Sequence, residues 1–205
     1  MSYGIEKEKH LGGYLNVDTL WGDPGTWSPE IWNKIIKDYH IESVCDVGCG
    51  KGYSTRYFSQ KGLYVVGTEG GSNAINNSVF EGILIKNDYT ITSAIKDDSK
   101  FDLIWCCEFV EHVREQYIHN FLNDFKKGKY IAMTYAEPGQ EGFHHVNCQP
   151  KEYWINKLEN IGFKYNEIYS NQLIEMAKEE NNNQVFTHAG HLQRLLFFEN
   201  NNVIR

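Results

Sequence analysis

A chain of 205 residues with 41% hydrophobic residues is long enough for one substantial core, and its composition excludes a disordered or fibrous protein. Its formal net charge of −7 disfavours long nucleic acid as a partner, because phosphate binding relies on clustered Lys and Arg. Its longest apolar runs fall far short of the ~20 residues that cross a bilayer, and its first ten residues lack a secretory apolar stretch, so we expect no membrane span and a cytoplasmic location.

The predicted elements alternate between strands and helices along the chain. Residues 1–29, rich in Gly and aromatic residues, are predicted to form an N-terminal arm or lid, followed by a helix over 29–38. Short apolar runs predict strands over 44–47, 64–68, 82–85, 102–106 and 130–134, and helical spacing predicts helices over 53–60, 72–79, 114–126 and 150–160.

Two further strands, over 163–168 and 192–198, are predicted on either side of a helix over 171–180. The order predicts an α/β fold with a Rossmann-like, doubly wound seven-stranded sheet, mostly parallel with an antiparallel last strand. We expect one domain over 1–205, with 30–205 as its core. Ligands of such folds bind at the carboxyl ends of the strands.

A glycine-rich loop, D-V-G-C-G-K-G at 46–52, follows the first predicted strand. Alternate glycines let the backbone turn sharply and approach a ligand closely. The loop matches neither the P-loop nor the G-x-G-x-x-G of nicotinamide dehydrogenases. Asp46 suits a cationic amino-acid ligand better than a pyrophosphate, and Glu69 and Asp88 end the next two strands, where they can bind a ribose and an adenine amino group. Each residue alone also fits a local role: Asp46 as a turn cap, Glu69 as a solvated loop residue and Asp88 as a helix N-cap.

In combination, the loop and the two acidic strand ends resemble the class I S-adenosylmethionine-dependent methyltransferases. The resemblance covers about residues 30–198, and it implies S-adenosylmethionine as the cofactor. The cofactor-binding residues that it implies are Asp46, Gly48, Cys49, Gly50, Gly52, Glu69, Gly70, Asp88, Tyr89 and Glu108.

A cluster of metal-ligand residue types follows the fourth and fifth strands. Glu108, Glu111 and His112 lie within one helical turn, and His144 and His145 follow the neighbouring strand. Carboxylates and imidazoles suit a divalent ion such as Mg²⁺, Mn²⁺ or Fe²⁺. The alternative is that the E-H pair only caps the following helix and shapes the pocket.

The cluster resembles the E-x-x-E-H plus distant His of 2′-O-methyltransferases of small-RNA ends and of O-methyltransferases in ubiquinone biosynthesis. The resemblance implies Glu108, Glu111, His112 and one of His144 and His145, preferably His145, as ligands of Mg²⁺ or Mn²⁺. It also implies that the catalytic residues are His145, His144 and His112, one of which can act as a general base if no metal binds. The interval before the last His is shorter than in the RNA enzymes.

The acceptor is predicted from weaker signals. Residues 22–29, 144–147 and 153–154 resemble methyltransferases of glycan assembly, including those of large DNA viruses, for which the location would be the host cytoplasm. We expect O-methylation of a sugar hydroxyl, with a vicinal diol chelating the metal. The alternatives are an RNA end, a small catechol-like metabolite, or a catalytically silent binding module. Four tryptophans can either stack on a sugar ring or pack in the core: Trp21, Trp27, Trp32 and Trp154. The sequence leaves the oligomeric state open.

Overall fold

A seven-stranded sheet forms the centre of the computed structural model, which describes residues 6–11, 26–96, 98–183 and 191–201. The strand order is β3-β2-β1-β4-β5-β7-β6. β7 runs antiparallel to both β5 and β6, and the other pairings are parallel. The prediction of a mostly parallel sheet with an antiparallel last strand is confirmed. The strands are β1 (Ser43–Val47), β2 (Tyr64–Glu69), β3 (Ile83–Lys86), β4 (Phe101–Cys106), β5 (Gly128–Met133), β6 (Phe163–Tyr165) and β7 (Leu196–Asn200).

Helices cover both faces of the sheet. The α-helices are α1 (Pro29–Tyr39), α2 (Tyr53–Gln60), α3 (Ser72–Asn76), α4 (Ile118–Phe125), α5 (Lys151–Glu159) and α6 (Glu167–Asn183). In the described part of the chain, 3₁₀ turns cover Glu6–Leu11, Val110–His112, Glu115–Tyr117 and His191–Arg194. Within the described ranges, none of the helices combines the length and the hydrophobicity that crossing a bilayer requires.

Two apolar cores lie on the two faces of the sheet, because successive side chains of a strand point to opposite faces. In β4, Leu103 and Trp105 pack against α1, α2 and α6, whereas Ile104 and Cys106 pack against α4 and α5. The two layers hold the carboxyl ends of β1, β2, β4 and β5 at one edge of the sheet.

Several predicted elements differ from the observed ones: the helix over 114–126 becomes α-helical only at Ile118, and the helix over 171–180 spans Glu167–Asn183. The predicted helix over 72–79 ends at Asn76, and the predicted strand over 192–198 begins as a 3₁₀ turn. The predicted strand over 163–168 stops at Tyr165, and α6 begins at Glu167 because the Asn166 carboxamide oxygen accepts the amide N–H of Tyr169 (2.9 Å). Ile168 is apolar, which is why the predicted strand extended to it, but in the structure its side chain is 75% exposed.

Most of the N-terminal arm lies outside the described residues, which include Glu6–Leu11 and 26–28 of it. Trp27 packs edge-on against Trp32 (5.1 Å between ring centroids), and Trp32 and Trp154 are buried. Trp32 and Trp154 therefore belong to the cores and offer no face to a sugar, whereas Trp27 is only partly buried. Trp21 lies outside the described residues.

Candidate active site

The loop after β1 presents open backbone at the carboxyl edge of the sheet. Gly48, Gly50 and Gly52 all have positive φ (72°, 55° and 79°), a conformation that favours glycine. A Cβ on Gly48 would lie 2.4 Å from the Phe109 ring, so a larger residue does not fit there. At Gly50 nothing lies within 4 Å of the position that a Cβ would take. The loop therefore leaves room for a ligand against its backbone at Gly50.

Asp46 lies beneath this loop and holds the start of α2. Its side chain accepts hydrogen bonds from Ser54 Oγ (2.7 Å) and Thr55 Oγ1 (2.6 Å), and the residue is 2% exposed. Burial raises the pKa of Asp46 to about 6, although the two hydroxyl donors oppose the shift. The contacts match the local role of a turn cap, and a role toward a cationic ligand stays a prediction.

Glu69 is held at the end of β2 by backbone amides. One carboxylate oxygen accepts the N–H of Gly50 (2.9 Å), and the other accepts the N–H of Gly71 (2.7 Å). Burial raises the pKa of Glu69 against these hydrogen bonds. The residue is therefore not a solvated loop residue, and its carboxylate lies directly beside the glycine loop.

Asp88 and Tyr89 follow β3, and their side chains point in different directions. Asp88 accepts the amide and hydroxyl of Thr90 on one oxygen (2.8 and 2.6 Å) and contacts His10 Nε2 with the other (2.9 Å). The Tyr89 hydroxyl instead bonds to the buried Asp124 (2.8 Å) and Thr68 (3.0 Å). The Tyr89 ring thus belongs to the core, and the Tyr89 carbonyl accepts the Asn120 carboxamide N–H (2.8 Å).

Three of the predicted metal ligands come together after β4 and β5. The candidate ligand atoms of Glu111, His112 and His145 all lie within 4.8 Å of one another. The backbone positions the third one, because the amides of Val146 and Asn147 donate to the Glu111 carbonyl (2.9 and 3.0 Å). Of the two candidate histidines after β5, His145 is the one that joins the cluster.

The tautomer of His145 follows from its surroundings. Its Nδ1 lies 3.1 Å from the backbone carbonyl of Gln140, which can only accept a hydrogen bond. Nδ1 of a neutral ring therefore carries the proton, and Nε2 keeps a free lone pair. That lone pair is available to a metal ion or to a proton.

Glu111 is a buried carboxyl group whose oxygens lack hydrogen-bond partners among the described residues, and the same holds for Nδ1 of His112. Glu111 is 0% exposed, and burial together with the Glu108 carboxylate raises its pKa. Burial, followed by the neighbouring His145, lowers the pKa of His112 to about 4. A buried charge without a partner is unfavourable, so the site suits either a proton or a bound cation. One carboxylate and two imidazoles form a donor set that fits a divalent cation.

Glu108 departs from the predicted four-residue set. Its carboxylate lies 2.9 Å from His191 Nδ1 and accepts the Thr134 hydroxyl (3.2 Å). The reason is local, because the 3₁₀ turn begins only at Val110 and Glu108 precedes it with a φ of 51°. Glu108 is thus placed beside the cluster, against the turn that precedes β7.

His144 also lies outside the cluster, in a left-handed conformation with a φ of 54°. Its imidazole is hydrogen-bonded to the backbone of His10, and burial together with the Arg114 charge lowers its pKa. His144 therefore faces the N-terminal turn.

Sequence reasoning missed three contributors to this site. His191 reaches Glu108, the Arg194 Nε donates to the Tyr135 carbonyl (3.0 Å), and the Gln140 carbonyl orients His145. His191 and Arg194 are more than 80 residues from Glu108 along the chain, so no local pattern pointed to them. Gln140 acts through its backbone, which leaves no signature in the sequence.

The sheet order and the site at its carboxyl edge define a Rossmann-like methyltransferase fold, which solved structures share. A SAM-dependent methyltransferase from Archaeoglobus fulgidus superposes with a TM-score of 0.52 at 17% identity, covering 83% of this chain and 93% of that one. A TehB-like SAM-dependent methyltransferase from Corynebacterium glutamicum gives 0.51 at 19% identity, covering 61% and 67%. At such identities the likeness shows the fold alone.

Sequence comparison adds the family. Residues 45–132 match the family described as "Methyltransferase domain". The Ubiquinone biosynthesis O-methyltransferase of Pelagibacter ubique (strain HTCC1062) is 30% identical over 132 residues, covering 53% of this chain. This chain spans only about half of that relative, 55% of its length. Residues 45–132 are therefore similar to a methyltransferase domain, and they lie within a Rossmann-like methyltransferase fold.

Proposed function

We propose that this protein is an O-methyltransferase that transfers the methyl group of S-adenosylmethionine to a small molecule or glycan with two neighbouring hydroxyls. A vicinal diol of a sugar is the leading acceptor. The single observation that carries the proposal is the cluster of the buried Glu111 with the half-buried His112 and His145. It follows β4 and β5, at the same edge of the sheet as the glycine loop, where cofactor and acceptor can meet.

The cofactor would lie against the glycine loop. Gly50 offers open backbone, and Glu69, beside it, would accept the two ribose hydroxyls. Asp88 would accept the adenine amino group, because its Oδ2 holds one contact and has a second lone pair. S-adenosylmethionine, when bound, supplies a methyl group on a positively charged sulfur.

Glu111, His112 and His145 would hold Mg²⁺ or Mn²⁺. The unpartnered Glu111 carboxylate and His112 Nδ1, together with the free lone pair of His145, support this assignment. A bound divalent ion lowers the pKa of a hydroxyl that coordinates it, which makes a nucleophile near neutral pH. Glu108 is not placed for this role, because it pairs with His191.

The transfer itself requires an oxygen nucleophile in line with the methyl–sulfur bond. As the carbon–oxygen bond forms, the carbon–sulfur bond breaks and the electron pair stays on sulfur. The acceptor hydroxyl must lose its proton. Without a metal ion, Nε2 of His145 can take that proton, a contribution of typically ~10²- to 10⁴-fold.

A catechol-like acceptor is the second candidate. The name of the Pelagibacter relative, a ubiquinone biosynthesis O-methyltransferase, favours it. A catechol carries two neighbouring hydroxyls as a sugar diol does, so the same cluster suits both. An RNA end also has such a diol, but the formal net charge of −7 gives less support to a polyanion. The alternative that is not an enzyme is a binding module without catalytic activity.

The test is methyl transfer from radiolabelled S-adenosylmethionine to a panel of sugar glycosides, catechols and RNA ends, with EDTA and with added Mn²⁺. We expect EDTA to abolish transfer and Mn²⁺ to restore it. Glu111→Gln and His145→Ala should each lower the rate at least ~10²-fold, because each removes a ligand or the base.

His119→Ala is the matched control, because His119 lies on the exposed side of α4. It should leave the rate unchanged. Transfer that resists both EDTA and His145→Ala would refute the role of the cluster. If calorimetry finds no binding of S-adenosylhomocysteine at millimolar concentration, the protein is a silent binding module and the proposed activity is wrong.

A further inference from the structure

The N-terminal 3₁₀ turn, Glu6–Leu11, lies across the carboxyl edge of the sheet, and we call it the strap. Its residues belong neither to the cofactor motif nor to the histidine cluster. It nevertheless touches both halves of the crevice.

On the cofactor side, two strap residues make polar contacts. The Glu8 carboxylate accepts the Ser72 amide (2.9 Å), contacts the Ser72 hydroxyl, and pairs with Lys86 Nζ (3.2 Å). His10 Nε2 lies 2.9 Å from Asp88 Oδ2. These contacts fix the strap to the start of α3 and to the end of β3.

Leu11 contributes apolar surface directly after β2. Gly70, directly after β2, has no side chain, and the Leu11 methyl groups lie 3.2 and 3.4 Å from the position that its Cβ would take. Gly70 follows Glu69 and faces the Asn87 carbonyl, so Leu11 lies between the two acidic strand ends. An adenine ring bound between Glu69 and Asp88 would need such an apolar wall.

On the acceptor side, the strap meets the loop of the histidine cluster. The His144 imidazole is hydrogen-bonded to the backbone of His10. The next residue, His145, is the one that faces Glu111 and His112. The strap is therefore a physical connection between the end of β3 and the loop that carries His145.

We propose that the strap is part of the adenosine pocket, with Leu11 as its apolar wall and His10 as the residue that closes it over Asp88. The bound cofactor then lies under the strap, and its release requires the strap to open. Because His144 is bonded to the same turn, closing the strap over the cofactor also holds the loop of His145. This inference rests on the proposed cofactor.

The test measures S-adenosylhomocysteine binding by calorimetry and its dissociation rate by stopped-flow tryptophan fluorescence. Leu11→Ala and His10→Ala should each weaken binding about 10-fold, mainly through faster dissociation. The first variant loses the apolar contact with the ligand, and the second loses the side chain that covers Asp88. His119→Ala is the control and should match the native protein. Thermal unfolding without ligand should be unchanged in both strap variants, which shows that they fold.

A second measurement follows the connection to the acceptor side. Hydrogen exchange of the amides in 142–147 should slow when S-adenosylhomocysteine binds to the native protein, and it should not slow in His144→Ala. If the native protein binds the ligand but both strap variants bind within twofold of it, or more tightly, the strap inference is wrong and the proposed function stands. If the native protein does not bind the ligand, both fall together.

Discussion

Buried acidic residues characterise this site at the scale of single residues. Asp46 and Glu69 lie near the ends of β1 and β2, Glu111 lies in the 3₁₀ turn after β4, and the surroundings of each carboxylate differ. Hydroxyl groups surround Asp46, backbone amides surround Glu69, and Glu111 has no hydrogen-bond partner among the residues described. Because burial disfavours the charged form, all three have a raised pKa.

Asp46→Asn should change how stability depends on pH. The folded pKa of about 6 lies above the ordinary value of 3.8, so the folded state binds the proton more tightly than the unfolded one. This contribution is fully present below about pH 4 and is lost as the pH rises through 6. Between pH 4.5 and pH 7, the native protein should lose about 2 kcal/mol of unfolding free energy that the variant does not lose.

Urea unfolding of both proteins at the two pH values measures this difference. Asn keeps an oxygen acceptor for Ser54 and Thr55, so the start of α2 should persist in the variant. Parallel pH dependences of native protein and variant would show that Asp46 has an ordinary pKa in the folded state.

At the scale of elements, the segment 142–147 positions the histidine cluster. It has no regular secondary structure, and the amides of Val146 and Asn147 attach it to the turn after β4 through the Glu111 carbonyl. Gly142 lies directly over the His145 ring, since a Cβ at Gly142 would be 2.2 Å from Nε2. The missing side chain of Gly142 is therefore what lets the ring take its place.

Gly142→Ala should displace the His145 imidazole and lower methyl transfer by about 10²-fold, the usual effect of a misplacement near 1 Å. Stability should change little, because the residue is exposed and the ring can move. Transfer rates and the Mn²⁺ concentration for half-maximal activity measure the effect. Glu141→Ala, an exposed neighbour, is the control, and equal rates in both variants would mean that Gly142 does not position the ring.

At the scale of the whole molecule, β7 closes the fold. It lies between β5 and β6 and so connects β6 to the rest of the sheet. Phe197, in β7, is 0% exposed and packs against Tyr39, Tyr130 and Tyr169, with ring centroids 4.7, 5.9 and 4.8 Å away. The cluster links α1, β5 and α6 through one side chain of the final strand.

Phe197→Ala should lower the unfolding free energy by about 3–5 kcal/mol, because it leaves a cavity between the sheet and two helices. Ile168→Ala, at a 75% exposed position of α6, should change it by no more than about 0.5 kcal/mol. Chemical unfolding followed by tryptophan fluorescence compares the two. Equal losses would contradict the assignment of Phe197 to the core.

The sequence by itself determined the strand–helix alternation, the glycine loop with its two acidic neighbours, and the residue types of the histidine cluster. These are local patterns, since periodicity and turn residues act within a few positions of one another. The ends of α3, β6 and β7 could not be predicted, because caps such as Asn166 and the exposure of Ile168 depend on the packed neighbours.

The tertiary structure alone decided how the site is assembled. It selected His145 over His144, took Glu108 out of the cluster by pairing it with His191, turned the Tyr89 ring into the core, and laid the strap over Asp88. Each of these outcomes depends on atoms that are distant along the chain and meet only when the sheet is complete. Local sequence can indicate which side chains are present, but the contacts between them are set by the fold.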